Sequence, residues 1–245
     1  DGKTGAVHWQ RPGFYWKGGP VIADVDSDGV VEVVAVNDQK RVEAVNGATG
    51  ATEWVSLHIL ENNYPHLTVA DLMADGQPEV IADNAILDGR TGDLQHHFQL
   101  SGSIIGRMPA VGDIDLDGRQ EVIIANECRN ADGSLQWDSS IIGTYGHWSA
   151  ILNYDSDPQG EVVMIGSGQF AIYDPDGTLL VQSAAGSGQP GPPCVADFDG
   201  DGDAEMAWAD SNQFHVFELD GSVRWTQVIN DASGLAACSG YDVNG

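Results

Sequence analysis

The chain has 245 residues, with 37 acidic against 10 basic side chains and a formal net charge of −27. A surface this acidic repels nucleic acid and anionic lipid, which excludes both as partners. Hydrophobic residues make up 42% of the chain, enough for a large core, but no apolar run approaches the length of a membrane span.

In chain order, "DGKTGAVHW" at Asp1 reads as a turn and a short strand ending on Trp9. The aromatic segment "RPGFYWKGG" follows, from Arg11 to Gly19. "PVIA" is a brief apolar strand. It runs into Asp24, Asp26, Asp28 and Glu32, and "EVVAV" leaves that acidic loop as a second, alternating strand. "NGATGATEW" at Asn46 then carries the Asn-Gly signal of a hairpin, for which a type I′ turn with φ > 0 at both central residues is expected. The same succession recurs. Acidic loops start at Asp71, Asp113, Asn153 and Asp197, with a truncated copy, "GYDVNG", at the end of the chain. Turns start at Asp88, Asp132, Asp176 and Asp220, in "DGRTGDLQHHF", "DGSLQW", "DGTLLV" and "DGSVRW".

Both signals share a spacing of about 44 residues. Each unit reads as four short strands, and no stretch holds a helical period. Four strands in ~40–50 residues predict a blade of a β-propeller. The fold class expected is therefore all-β: a propeller of four-stranded antiparallel blades. Residues 1–245 are read as one propeller domain with about five full blades and a partial blade at the two ends. The intact ring is expected to have six or seven blades. Because the repeat starts and stops in mid-blade, the chain reads as a fragment of a longer protein.

The chemistry lies in the acidic loops. In D-x-D-x-D-G-x-x-E, side chains at positions 1, 3 and 5 converge in a tight curl. Glycine at 6 permits the bend, and a carboxylate at 9 closes the cage. Hard oxygen donors in that number suit Ca²⁺, with Mg²⁺ second because it demands stricter octahedral geometry. An EF-hand would place its glutamate at position 12 between helices. Three copies are complete: Asp24, Asp26, Asp28 and Glu32; Asp113, Asp115, Asp117 and Glu121; Asp197, Asp199, Asp201 and Glu205. A fourth has Asn153, Asp155, Asp157 and Glu161, with Pro158 replacing the glycine. Another offers Asp71, Asp75 and Glu79 but puts Met73 at position 3, so weak binding or none is expected there. Ordinary Asp/Gly turns without metal are the alternative, and repetition in register argues against it.

These loops resemble the FG-GAP/VCBS repeats of calcium-loop propellers, found in integrin α-subunit heads and in many bacterial surface and secreted proteins. The resemblance spans the whole chain, and Glu at position 9 looks like the bacterial branch. It implies a propeller with several Ca²⁺ ions in the loops between first and second strands, an extracellular or cell-surface location, and adhesion or glycan binding more often than catalysis. The turns at Asp1 and Asn46 also look like the outer-strand motif of quinoprotein propellers, a blade-packing device. Rhamnogalacturonan lyases use calcium-loop propellers too, which keeps a polysaccharide-active enzyme as an alternative. A scaffold without a ligand inside a larger surface protein is a third reading.

In a propeller the segments before each first strand emerge on the face opposite the acidic loops. Here they carry Phe14, Tyr15, Trp16, Tyr64, His66, Arg107, His147 and Trp148. Aromatic rings among a few polar groups suit a sugar or a peptide, so a glycan or protein ligand is expected on that face, with other segments of a parent protein as further partners. Packing between blades is the competing role for each ring. Trp54, Trp137 and Trp225, at equivalent outer-strand positions, are read as packing residues. His96 and His97 are adjacent on a strand and point to opposite faces. No catalytic residue is assigned, because no nucleophile or metalloprotease motif is present and the paired acids fall in the loops. Cys128, Cys194 and Cys238 are odd in number and lack zinc-site spacing, which leaves one disulfide plus a thiol, or three thiols, open.

Overall fold

The computed structural model describes residues 1–14, 18–62, 65–100, 108–139, 147–166, 168–184 and 190–231. Among the described residues it contains twenty strands and no helix. They form five antiparallel four-stranded sheets, each made of four consecutive strands. The first holds β1 (Val21–Ala23), β2 (Glu32–Val36), β3 (Val42–Asn46) and β4 (Thr52–Val55). The second holds β5 (Leu67–Ala70), β6 (Glu79–Ala82), β7 (Ala85–Asp88) and β8 (Leu94–His97). The third holds β9 (Ala110–Gly112), β10 (Glu121–Ile124), β11 (Glu127–Arg129) and β12 (Leu135–Asp138). The fourth holds β13 (Trp148–Leu152), β14 (Glu161–Gly166), β15 (Gln169–Tyr173) and β16 (Leu179–Ala184). The last holds β17 (Cys194–Ala196), β18 (Glu205–Ala209), β19 (Gln213–Glu218) and β20 (Val223–Val228). This arrangement is consistent with propeller blades.

Contacts divide the chain into two compact units, one of Asp1–Leu100 with Gly118–Gln120 and Asn130–Ser134, the other of the remaining residues. In each unit the second and third strands are buried while the fourth is largely exposed. The reason is legible in the side chains. "EVIA", "EVII" and "EVVMIG" are continuous apolar runs after one glutamate, as strands covered on both faces require. In the first unit Val34, Val36, Val42, Ala44, Val80, Ala82 and Leu87 form one core. In the second, Phe170, Trp208 and Phe217 anchor another, with Trp208 and Phe217 stacked at 4.3 Å.

The turns between third and fourth strands differ from the expected type I′. In "NGATG" a positive φ falls on Gly50 alone (71°) and not on Asn46 or Gly47. The Asn46 carboxamide oxygen instead accepts the amides of Ala48 and Thr49 at 3.2 and 3.1 Å. Asp88 does the same for Arg90 and Thr91. The third-to-fourth strand pairing then skips one residue in all five sheets: Glu53, Gln95, Gln136, Leu180 and Arg224 are bulged out. An Asx-capped turn with a single left-handed glycine and a bulge replaces the two-residue hairpin, because only one glycine stands where φ > 0 is needed.

The bulge aims the next side chain at a neighbouring turn. The Trp54 indole N–H donates to Gly89 O at 2.8 Å, and its ring lies so close to Gly92 that a Cβ there would come within 2.4 Å. Trp137 does this to Pro175 O (2.7 Å) and Gly177, and Trp9, which lies in no strand contrary to the expected one, makes the same contact with Gly47 O (2.8 Å) and Gly50. Packing was the expected role of Trp54 and Trp137. Trp225 departs from it, being 45% exposed.

Candidate metal centres

Each acidic loop joins the first strand of a sheet to the second. The glutamate at position 9 is the first residue of the second strand: Glu32, Glu79, Glu121, Glu161 and Glu205 are all buried. One carboxylate oxygen of each is held by the backbone amide seven residues earlier. Glu32 Oε2 accepts from Val25 N at 2.9 Å, Glu79 from Leu72 at 2.9 Å, Glu121 from Ile114 at 3.0 Å and Glu205 from Phe198 at 2.7 Å. Glu161 accepts from Tyr154 N in the same way. The other oxygen of Glu32, Glu161 and Glu205 is buried and meets no hydrogen-bond partner. A bare carboxylate oxygen out of water is costly unless a cation or proton completes it.

The loop backbone is bent to bring further carboxylates to that oxygen. Asp24 accepts the amides of Asp28 and Gly29 at 3.1 and 3.0 Å, and Asp197 those of Gly200 and Gly202 at 2.6 and 3.0 Å. The bend needs two left-handed residues, at positions 4 and 6. Position 6 is Gly29, Gly76, Gly118 or Gly202, while position 4 is Ser27, Ala74, Leu116 or Gly200. A leucine at φ 64° is strained. In the fourth copy Pro158 cannot adopt that conformation, and Asn153 Nδ2 donates instead to Asp157 O at 2.9 Å.

Four groups result in which one ligand atom per residue lies within 4.8 Å of the others: Asp24, Asp26 and Glu32; Asp113, Asp115 and Glu121; Asp155, Asp157 and Glu161; and Asp197, Asp199, Asp201 and Glu205. Asp28 and Asp117 stand outside these groups, and the Asp28 carboxylate caps Val30 N at 2.7 Å. Asp71, Asp75 and Glu79 form no such group among the described residues. Met73 removes the donor at position 3. Crowding shows in the proton affinities. Burial first, then nearby carboxylates (Glu53 ahead of Asp26 and Asp28 at Glu32, aspartates at the others), pushes Glu32, Glu79 and Glu161 above the usual carboxylate range, and Glu121 up to about 7. A dication among these oxygens would reverse that logic, so the donor set fits a hard, oxygen-seeking metal ion.

Two features had no direct expectation. The residue at position 2 lends its amide to the closing glutamate, and its only signal is that it is apolar in every copy (Val25, Leu72, Ile114, Tyr154, Phe198). In the last loop the Arg224 guanidinium pairs with Asp199 and, at 2.5 Å, with Glu218. That contact depends on the bulge at Arg224, which spacing alone does not reveal.

The aromatic set expected to line an open mouth fares differently. Tyr15, Trp16, Tyr64 and Arg107 lie outside the described residues. His66 is half-buried, and burial lowers its pKa. His147 and Trp148 are 2% and 3% exposed, and the Trp148 indole donates to Pro190 O at 2.6 Å. Those two side chains therefore pack inside and present no open ring, because Trp148 begins a strand whose neighbours cover it. Cys194 is disulfide-bonded and Cys128 is a free, buried thiol. Cys238 lies outside the described residues.

No protein-family model matches the chain, and no curated protein matches it in sequence. Solved structures do match in fold. The V. cholerae biofilm matrix protein Bap1 superposes with a TM-score of 0.68 at 21% identity, over 88% of this chain and 40% of that one. The exotype rhamnogalacturonan lyase YesX gives 0.64 at 16%, over 84% and 45%. An Agrocybe aegerita lectin that recognises non-reducing terminal N-acetylglucosamine gives 0.50 at 16%, over 91% and 67%. The chain thus spans less than half the length of the first two. At these identities the likeness shows the fold alone, which is β-propeller-like.

Proposed function

We propose that this chain is a calcium-stabilised, extracellular β-propeller of the FG-GAP/VCBS kind that acts as a binding or adhesion module for glycan or protein ligands. The observation that carries the metal reading is the buried, unpartnered carboxylate oxygen of Glu32, Glu161 and Glu205, each beside two or three aspartates. Ca²⁺ is the ion of choice, because a flexible all-oxygen set with one backbone-anchored carboxylate tolerates its irregular coordination better than that of Mg²⁺. Asp24, Asp26 and Glu32, and their counterparts in the third, fourth and fifth sheets, would hold it. Asp28, Asp117 and Asn153 would complete their loops, and the Asp71, Asp75 and Glu79 loop would bind weakly. The bound ion screens the acids and stabilises the folded loop by linkage.

In this reading the five sheets are blades of one propeller of six or seven blades within a longer protein. The disulfide at Cys194 supports an oxidising, extracellular setting. The printed descriptions of a biofilm matrix protein and a sugar-recognising lectin among the fold neighbours favour a carbohydrate ligand. On this reading the ligand surface would be the face opposite the acidic loops, the face to which the sequence pattern assigns Tyr15, Trp16, Tyr64, His66 and Arg107. A glycan array with and without a calcium chelator tests this: calcium-dependent retention of defined glycans supports it, and no retention on any glycan refutes the carbohydrate ligand. Release of unsaturated products from acidic polysaccharides would instead establish a lyase.

A further inference from the structure

Two histidines and an asparagine of the first compact unit come together away from the acidic loops. His58 follows β4, His97 ends β8, and Asn84 stands in the hairpin between β6 and β7. That hairpin is the end of its sheet remote from the acidic loop, which enters β6 at Glu79. His96, next to His97, lies against Gly133 on the other side of the strand.

The ring centres of His58 and His97 are 5.1 Å apart, tilted by 55°. The Asn84 carboxamide nitrogen is 2.9 Å from His97 Nε2. The same carboxamide is close enough to His58 to raise its proton affinity. Yet His58 Nε2 is buried and meets no hydrogen-bond partner, and neither does Asn84 Oδ1, on a residue only 1% exposed. The asparagine at the same hairpin position of the third sheet, Asn126, uses its amide differently, donating from Nδ2 to Ser139 O at 3.1 Å. An unpaired imidazole nitrogen and an unpaired carboxamide oxygen out of water are costly unless something joins them.

The distances suit one metal ion. With Zn–N at about 2.0–2.1 Å, a zinc ion stands about 3.2 Å from each ring centre, and a tetrahedral angle then sets the centres about 5.2 Å apart. Turning the Asn84 carboxamide over puts Oδ1 where Nδ2 stands, 2.9 Å from His97 Nε2, a spacing that two donors on one ion can share. Imidazole donors favour zinc over the hard cations that suit the oxygen-only loops. Charge favours a cation too, since Glu61 and Asp83 act on His58 as negative neighbours. Burial, then the His97 ring, nonetheless lowers the His58 pKa, which leaves its nitrogen lone pair free at neutral pH.

Both histidines rest on fixed backbone. Arg41 Nη1 donates to Ser56 O and Leu57 O, each at 2.9 Å, and Ser56 Oγ to His58 O at 3.1 Å. Phe98 N, next to His97, donates to Asn84 O at 3.0 Å.

We propose that His58, His97 and Asn84 bind one Zn²⁺ ion, at a site separate from the acidic loops and of different donor chemistry. His58 Nε2, His97 Nε2 and Asn84 Oδ1 supply three ligands. Because His97 is exposed, the fourth position opens to water or to the donor group of a bound ligand.

Calorimetric titration of Zn²⁺ into the untagged chain, kept at excess calcium to occupy the loops, tests this. One Zn²⁺ that calcium does not displace should bind, and the ring nitrogen resonances of His58 and His97 should move in NMR spectra. His97→Ala, at an exposed position, should lower the zinc affinity roughly a hundredfold while the zinc-free melting temperature stays the same. His58→Ala should act likewise, and Asn84→Ala should lower the affinity roughly tenfold. His96→Ala should bind zinc as wild type does. A wild-type chain that takes up no zinc at excess calcium would overturn the proposal. So would a His97→Ala chain that binds zinc as tightly as wild type, loss of binding in His96→Ala, or zinc uptake that leaves both ring resonances unmoved.

Discussion

Trp54→Ala tests whether the tryptophan contact between successive sheets carries stability. Trp54 is 8% exposed, and its indole N–H donates to Gly89 O, itself a buried residue. Removing a ring that buries roughly 200 Å², at about 25 cal/mol per Å², sets an upper figure of about 5 kcal/mol. Alanine keeps part of that burial, but the Gly89 carbonyl loses its donor, so a cost of roughly 3–5 kcal/mol is expected. For a chain of this size, 1 kcal/mol shifts the melting temperature by roughly 2–4 °C, which makes the expected fall roughly 6–20 °C. Circular dichroism through a thermal ramp and a urea titration, with calcium held at fixed excess, reads both quantities. Trp54→Phe keeps most of the ring and loses the hydrogen bond, and should fall between wild type and Trp54→Ala. Trp225→Ala should cost under about 1 kcal/mol, because a half-exposed surface residue contributes little. If Trp54→Ala lies within about 1 kcal/mol of wild type, the contact is geometry without energy and the reasoning fails.

Other outcomes follow from the loops and the buried polar groups. Asp115→Ala should lower both bound calcium and the melting temperature, whereas Met73→Ala should leave the calcium stoichiometry unchanged; the reverse pattern in a calcium-binding titration would refute the ranking of the loops. Leu116→Gly should stabilise the metal-free protein by about 0.5–1 kcal/mol in chemical denaturation, by relieving a left-handed leucine at φ 64°. Burial alone would raise the Asp210 pKa, but the amides of Asn212 and Gln213 and the His215 ring hold it below the usual range. A depressed carboxylate adds stability above its unfolded pKa and loses it as pH falls through the folded value. Wild type should therefore lose more stability than Asp210→Asn as pH drops below about 4, and parallel acid titrations of the two would contradict this.

Much of the fold was legible because each repeat states its elements in local chemistry. The apolar runs after Glu32, Glu79, Glu121, Glu161 and Glu205 became buried second strands, and the turns at Asn46 and Asp88 fell where Asn-Gly and Asp-Gly stand. The turn type was misjudged because the Asx cap of Asn46 and the single left-handed Gly50 build a bulged connection that the dipeptide signal does not separate from type I′. At the acidic loops, spacing foretold which carboxylates converge. It did not foretell that one oxygen of the closing glutamate is tied to Val25 N or its equivalents, since any residue but proline supplies an amide. Trp148 and His147 read as exposed because aromatic residues before a strand suit a binding mouth and a packed interior equally well. Only the three-dimensional neighbours of Trp148, Pro190 among them, decide between the two.

Calcium binding to the chelator-stripped chain, measured by calorimetric titration alongside the melting temperature, bears most directly on the proposed role of the loops. Four acidic groups are present among the described residues, so about four ions should bind there, raising the melting temperature, with each site at a hundredfold excess over its Kd adding about 2.7 kcal/mol. A chain that binds no calcium, or melts at the same temperature with and without it, would contradict the assignment of these loops as metal sites.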